Sequence, residues 1–247
     1  MLEVMRARLE PLLAELHAHT RWSDGELTTR ELVDLYGRQG FDVLCITDHV
    51  VRTDHPVVGS DGRVEAVSQR DYPAYLAEVA VEALRARAVY GLLVLPGLEL
   101  TYNDADPDAA AHAVAVGLHE FVSVDGGIEE ALRTARAAGA ATIAAHPYDV
   151  ELAADALRPT LRFAREPALA ELVDRYELFN RSELFPWVAD AGLPVVATGD
   201  THVPEHLYGW KTLLPCARDE HAIVDYLRSP RPVYLTRLEQ DRRRIAA

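Results

Sequence analysis

The chain has 247 residues, 49% of them apolar and 26% charged, which is ordinary for a soluble globular protein and long enough to fill one α/β barrel. A formal charge of −14 argues against a basic face for long nucleic acid, and no apolar run reaches the roughly 20 residues that span a bilayer. The opening "MLEVMRARLE" carries charges where a signal peptide needs an apolar run, and neither Cys45 nor Cys216 has a Cys-x-x-Cys partner, so a cytoplasmic chain with two small buried thiols and no thiolate zinc site is expected.

In chain order, the first strand-like run is "LLAELH" (12–17), followed by a helical stretch, "TTRELVDLYGRQG", that begins on Thr caps and stops at Gly40. "VLCITDH" (43–49) then leads into the polar, turn-rich segment 50–71. The helix "YPAYLAEVAVEALRARAVYG" precedes "LLVLPGLEL" (92–100), after which the acidic segment 101–111 breaks the rhythm again. "HAVAVGL" (112–118), the helix "GIEEALRTARAAGA", "ATIAAHP" (141–147) and "YELFN" (176–180) continue the alternation. The helix "SELFPWVADAG" (182–192), "PVVATGD" (194–200) and a last run at 211–216 complete it. Strands that are apolar throughout and alternate with helices predict βαβ units around a parallel sheet. With no linker, repeat or composition shift, residues 1–247 are expected to form one domain.

Histidines and carboxylates collect at the ends of these runs. They are His17, His19 and Asp24; Asp48 and His49; Glu99; His112; His146; and Asp200 and His202. Residues i and i+2 of a strand share a face, so His17 and His19 can serve one ion, as can Asp200 and His202. The turn "SDG" lets Asp24 fold back over the barrel mouth. A lone strand histidine is more often a hydrogen-bonded core residue, and a lone Asp before a helix is more often a cap. That explanation has to hold at the end of one strand after another, and buried ionisable groups are costly unless paired or bound to metal. An imidazole and carboxylate set without thiolate suits zinc, manganese or iron.

The motifs "HAHT…SDG" (17–25), "ITDH" (46–49), "PGLEL" (96–100), "HAVAVG" (112–117), "AAHP" (144–147) and "ATGDTH" (197–202) resemble the PHP (polymerase and histidinol phosphatase) superfamily in kind and order. The resemblance implies a distorted (β/α)7 barrel, TIM-like, with a trinuclear metal centre binding two to three divalent ions, zinc, manganese or iron. It maps the ligands onto His17, His19, Asp24, His49, Glu99, His112, His146, Asp200 and His202. His17, His19, Glu99 and Asp200 would hold one ion. Glu99 would bridge to a second, held by His112 and His146, and Asp24, His49 and His202 would hold the third. His119, at the end of the same run as His112, is its rival; the motif alignment favours His112.

A centre of this kind implies a hydrolase, a metal-dependent phosphoesterase in which a metal-bridged hydroxide attacks phosphorus and the cations offset the developing charge. The expected substrate is a small phosphorylated molecule, nucleotide-like or histidinol-phosphate-like. The alternative is exonuclease-type trimming of short oligonucleotides, which needs little basic surface. Arg181 is the first choice for binding substrate phosphate, then Arg21 and Arg52, with His206 a loop candidate and His55 and the lone Lys211, placed in a loop before the last strand, further ones. Asp48 reads as a residue that orients a neighbouring imidazole or caps the next loop. No side-chain general acid is assigned. Two other classes compete. An amidohydrolase-like barrel also uses His-x-His but usually needs a carboxylated lysine, and a metal-stabilised binding module would not turn over. Neither the metal's identity nor the oligomeric state is encoded in these motifs.

Overall fold

In the computed structural model, residues 10–54, 56–60, 62, 64–104, 106, 108–149 and 161–240 are described. Among them the strands join into one curled sheet: β1 (Leu12–Glu15), β2 (Val43–Ile46), β3 (His49–Val51), β4 (Leu93–Tyr102), β5 (Ala111–Val116), β6 (Ala141–Ala144), β7 (Arg175–Asn180), β8 (Glu183–Leu184), β9 (Val195–Thr198), β10 (Gly209–Leu214) and β11 (Tyr234–Leu238). Along the main path the order is β11-β10-β1-β2-β4-β5-β6-β7-β8, with β3 on β4 and β9 on β7. The helices are α1 (Thr29–Arg38), α2 (Tyr72–Tyr90), α3 (Ile128–Ala137), α4 (Arg162–Arg165), α5 (Pro167–Ala170), α6 (Pro186–Asp190) and α7 (Glu220–Leu227). This is an α/β barrel, distorted because its closure is incomplete.

The seam shows the distortion. No ladder joins β9 to β10; instead the Thr212 hydroxyl accepts from the Ala197 N–H at 2.9 Å and donates to the Ala197 carbonyl at 2.8 Å. Just beyond the ends of β1 and β9, Ala18 and Thr201 form an isolated parallel bridge. Its bonds run from the His19 N–H to the Thr201 carbonyl at 2.8 Å and from the Thr201 N–H to the His17 carbonyl at 3.2 Å.

Local signals place the helices. Thr28 caps α1 in a reciprocal box with Glu31, and Gly40 and Gly91 take the left-handed conformation just past α1 and at the end of α2. Alternate residues of the barrel strands (Ala14 and Leu16, Val43 and Cys45, Val114 and Val116, Ile143 and Ala145) point into an apolar interior. From below, Ile223, Val224 and Leu227 of α7 plug it. A second, larger cluster lies between the sheet and the outer helices. Cys45 and Cys216 are buried and unbridged.

Three expectations need correction. The sheet is mixed: β5 runs antiparallel to both β4 and β6, and β10 is antiparallel to β1 and β11. A helix does not begin at Ser182. Glu183 and Leu184 pair back onto β7, and Pro186 opens a short α6 because proline is tolerated only in a helix's first turn. Lys211 is not in a loop; it sits inside β10 and is fully buried.

Candidate metal centre

The polar strand ends meet at one mouth. His17 Nε2 lies 3.2 Å from Glu99 Oε2 and 3.6 Å from Asp200 Oδ1. His19 Nε2 lies 3.4 Å from each of the same two oxygens. These two histidines follow β1 two residues apart and face the same carboxylates, as the alternation requires. Glu99 Oε1 stands 3.1 Å from His112 Nδ1 and 3.3 Å from His146 Nε2. Asp24 lies 3.4 Å from His49 Nε2 and 3.2 Å from His202 Nε2. Three overlapping groups therefore have ligand atoms within 4.8 Å of one another: His19–Asp24–His49–His202, His17–His19–Glu99 and Glu99–His112–His146. All nine residues of the expected set gather here. A cavity of about 670 Å³ opens above them, walled by Asp24, His49, Glu99, His112, His146, Asp200 and His202.

The reversed β5 explains His112. In the antiparallel register Thr101 is opposite His112, so the start of β5 lies at the mouth, beside the end of β4. His119, past the other end of β5, is exposed and pairs with Glu220.

The donor atoms fit divalent cations. His19 Nε2, Glu99 Oε1 and His112 Nδ1 are buried without a hydrogen-bond partner, a costly arrangement unless something else satisfies them. Outer partners fix the tautomers. His17 Nδ1 donates to Glu177 Oε1 at 2.8 Å, His112 Nε2 to Asn103 Oδ1 at 2.8 Å, and His202 Nδ1 to the Asp200 carbonyl at 2.9 Å. Each leaves the opposite ring nitrogen facing a carboxylate of the cluster, the usual arrangement of a ligating histidine. Among the described residues, the only non-glycine residues with positive φ are His146, Arg181 and Asp200, and all three line this cavity. Such backbone costs about 1–3 kcal/mol per residue and persists where the surroundings impose it.

Charges within the cluster are strongly coupled. Burial opposes charge on His17, but Asp200, Glu99 and Glu177 outweigh it and hold its pKa well above the usual imidazole value. Glu99 and Asp24 raise His49 in the same way against burial. His19 goes the other way: burial and the neighbouring His202 and His49 push it down to about 3. Glu99 and Asp200 are held well below the ordinary carboxylate range, because the neighbouring imidazolium charges overcome the burial that would raise them.

The substrate-binding candidates divide. Arg181 lines the cavity, its Nη2 bonded to Asp200 Oδ2 at 3.0 Å and to the Asp200 carbonyl at 2.9 Å. His206 also lines it, accepting the His202 N–H at 3.2 Å; burial, Arg181 and His202 lower its pKa to about 4. Arg21 is exposed, bonded to the Glu26 carbonyl, and does not reach the cavity. Arg52 is held by Asp54 and Asp104 beside a neighbouring cavity and does not line this one. His55 lies outside the described residues, and His221 is exposed beside Asp225. Asp48 is a loop clamp. It accepts from the Thr20 N–H and hydroxyl and from the Ser23 N–H and hydroxyl, fixing the turn that presents His19 and Asp24.

Glu177 escaped the sequence reading. Besides His17 it accepts the His146 N–H at 2.6 Å, the Thr198 hydroxyl at 2.6 Å and the Asn180 amide at 2.9 Å. One carboxylate thereby fixes parts of four strand ends, those of β1, β6, β7 and β9. The available signal was a charged residue inside the apolar run "YELFN".

A family model, PHP domain, matches residues 15–160, more than half of the chain. The chain belongs to the PHP domain family. Asp200 and His202 lie beyond the matched residues of this PHP chain and reach the centre through the β9 end. A curated relative, "DNA polymerase/3'-5' exonuclease PolX" of Bacillus subtilis (strain 168), is 25% identical over 226 residues. That alignment covers 85% of the PHP chain and 38% of the relative, so the chain spans well under half of it. Among solved structures, a two-domain protein from Bacteroides vulgatus ATCC 8482, described as containing a predicted PHP-like metal-dependent phosphoesterase, has a TM-score of 0.65 and 21% identity. The match covers 91% of the PHP chain and 64% of that protein. An amidohydrolase from Chromobacterium violaceum, with bound sulfate and no metal, matches at a TM-score of 0.50 and 17% identity over 77% of this chain and 88% of its own. At these identities the structural likeness is one of fold.

Proposed function

We propose that this PHP chain is a hydrolase, a metal-dependent phosphoesterase that cleaves a small phosphate ester at a centre of two to three divalent ions, built on three ligand groups that overlap at Glu99 and His19. The observation that carries the reading is the set of buried atoms, His19 Nε2, Glu99 Oε1 and His112 Nδ1, that converge without a hydrogen-bond partner. His17, His19, Glu99 and Asp200 would hold one ion; Glu99, His112 and His146 a second; and Asp24, His49 and His202 a third. Divalent ions supply Lewis acidity and activate water near neutral pH.

The chain's own residues do the rest. Glu177, Asn103 and the Asp200 carbonyl keep His17, His112 and His202 in tautomers with one nitrogen free. Asp200 fixes the Arg181 guanidinium at the cavity wall, where its remaining N–H groups meet phosphate oxygens. Asp48 holds the turn that brings Asp24 over the mouth. We also read residues 1–247 as a single PHP domain, supported by the one sheet that runs from β1 to β11.

The PolX relative favours a second reading, trimming of short oligonucleotides. The −14 charge weighs against it, since each phosphate held by a nucleic-acid-binding surface calls for a matching cation. Hydrolysis of p-nitrophenyl phosphate, bis-p-nitrophenyl phosphate and short single strands, with manganese or zinc added, tests both. Turnover of the monoester supports the first reading, and turnover confined to diester and oligonucleotide supports the second. No turnover on any of them by metal-loaded protein would reject both and leave a metal-stabilised binding module.

A further inference from the structure

Under the centre lies a buried ion pair that the chemistry above does not use. Glu15 and Lys211 are both fully shielded from solvent, and Lys211 is the only lysine in the chain. Lys211 Nζ donates to Glu15 Oε2 at 2.7 Å and to the His206 carbonyl at 3.3 Å. Glu15 Oε1 accepts three backbone N–H groups, from Leu16 at 3.1 Å, His17 at 3.1 Å and Gly199 at 2.8 Å. The Tyr36 hydroxyl reaches Glu15 Oε2 at 3.2 Å and Thr201 Oγ1 at 2.6 Å. A Cβ on Gly199 would stand 2.3 Å from Lys211 Nζ and 2.4 Å from Glu15 Oε2, so the pair fills the space a side chain would need.

Stability alone does not explain such a pair. Desolvating two charges costs several kcal/mol per ion, and neutral groups of the same volume are often as stable or more so. Alternation turns Glu15 away from the interior that Ala14 and Leu16 enter, toward Tyr36 of the apolar cluster between the sheet and the outer helices. What the pair provides is direction. The segments after β1 and β9 carry His17, His19, Asp200 and His202, yet they meet at the seam where only an isolated bridge joins them. Glu15 draws the N–H groups of His17 and Gly199 to one oxygen, and Lys211 ties in the turn bearing His206.

We propose that Glu15 and Lys211 are positioning residues that set His17, His19 and Asp200 at the spacing that accepts a divalent ion. This rests on the metal-centre reading above. The ligands His112 and His146 come from β5 and the end of β6 and do not touch the pair, so its loss acts on one ion and spares the ion held there.

The test is the double variant Glu15→Gln/Lys211→Met in the full chain, titrated with cobalt(II) and followed by visible absorption and bound-metal content. The expected result is a native thermal transition, a roughly 10–100-fold weaker affinity for one ion, a changed cobalt spectrum for that ion, and an unchanged second ion. Wild-type affinity for every ion overturns the proposal, as does an equal loss at all of them. If the double variant does not fold, Tyr36→Phe decides. It removes one bond to Glu15 and is expected to weaken the same ion several-fold, and no selective change in it overturns the proposal. A wild-type chain that binds no cobalt defeats the metal-centre reading itself, a distinct outcome.

Discussion

Glu99 touches more of the centre than any other carboxylate: His17, His19, His49, His112 and His146 all lie within 3.4 Å of its oxygens. Glu99→Ala or His17→Ala is therefore expected to bring hydrolysis to background and to lower bound metal while the barrel's circular dichroism is retained; full activity in either variant refutes the ligand assignment. Glu177→Gln keeps the shape of a side chain that fixes His17 and His146. Metal affinity should drop about 10–100-fold, measured by competition with a chelating dye, and no change would remove Glu177 from a positioning role. The pH dependence has a definite sign. His17 and His49 have raised pKa values, so without metal they keep protons that an incoming ion must displace. Affinity should rise with pH toward those raised values, and loading should release protons into weakly buffered solution. Loading with no proton release contradicts this. The gathering of these nine residues at one mouth was legible because most lie at or just past the end of an apolar run, with His112 opening one. Glu15 and Glu177 were not, because each is a single charge within a run, and which face it takes depends on register that sequence does not print.

At the scale of elements, the direction of β5 matters most. Its run "AHAVAV" is buried throughout and apolar apart from His112, and nothing in it marks its direction, so periodicity left His112 and His119 as rivals and only the motif resemblance favoured His112. The antiparallel register decides which one reaches the mouth. All eight apolar runs hold a strand, and they and the helices α1, α2 and α3 were readable from periodicity, Thr28 and the closing glycines. The helix placed over 182–192 was too long because Pro186 forbids an earlier start. The seam between β9 and β10 hangs on the Thr212 hydroxyl. Thr212→Val keeps the shape and leaves the Ala197 N–H and carbonyl unpaired in a buried site. It should cost about 1–3 kcal/mol, read from the urea midpoint at unchanged slope. A midpoint equal to the wild type's would mean that the seam is held by other contacts.

For the molecule as a whole, an acidic chain surrounds a centre proposed to gather cations. A charge of −14 spreads repulsion toward polyanions, while ions bound among Glu99, Asp24 and Asp200 would make the mouth locally positive. Among the described residues no helix is long and apolar enough to cross a membrane. Closing a sheet on itself gathers strand ends that are far apart in sequence, which is how residues 17 to 202 come to share one cavity. The most direct test is elemental analysis of the full chain and of Glu99→Ala after reconstitution with manganese and removal of excess ion. Because Glu99 belongs to two of the three ligand groups, the wild type should retain two to three ions per chain and Glu99→Ala about one at most. Equal metal content in the two proteins, or none in the wild type, would contradict a metal centre built around Glu99.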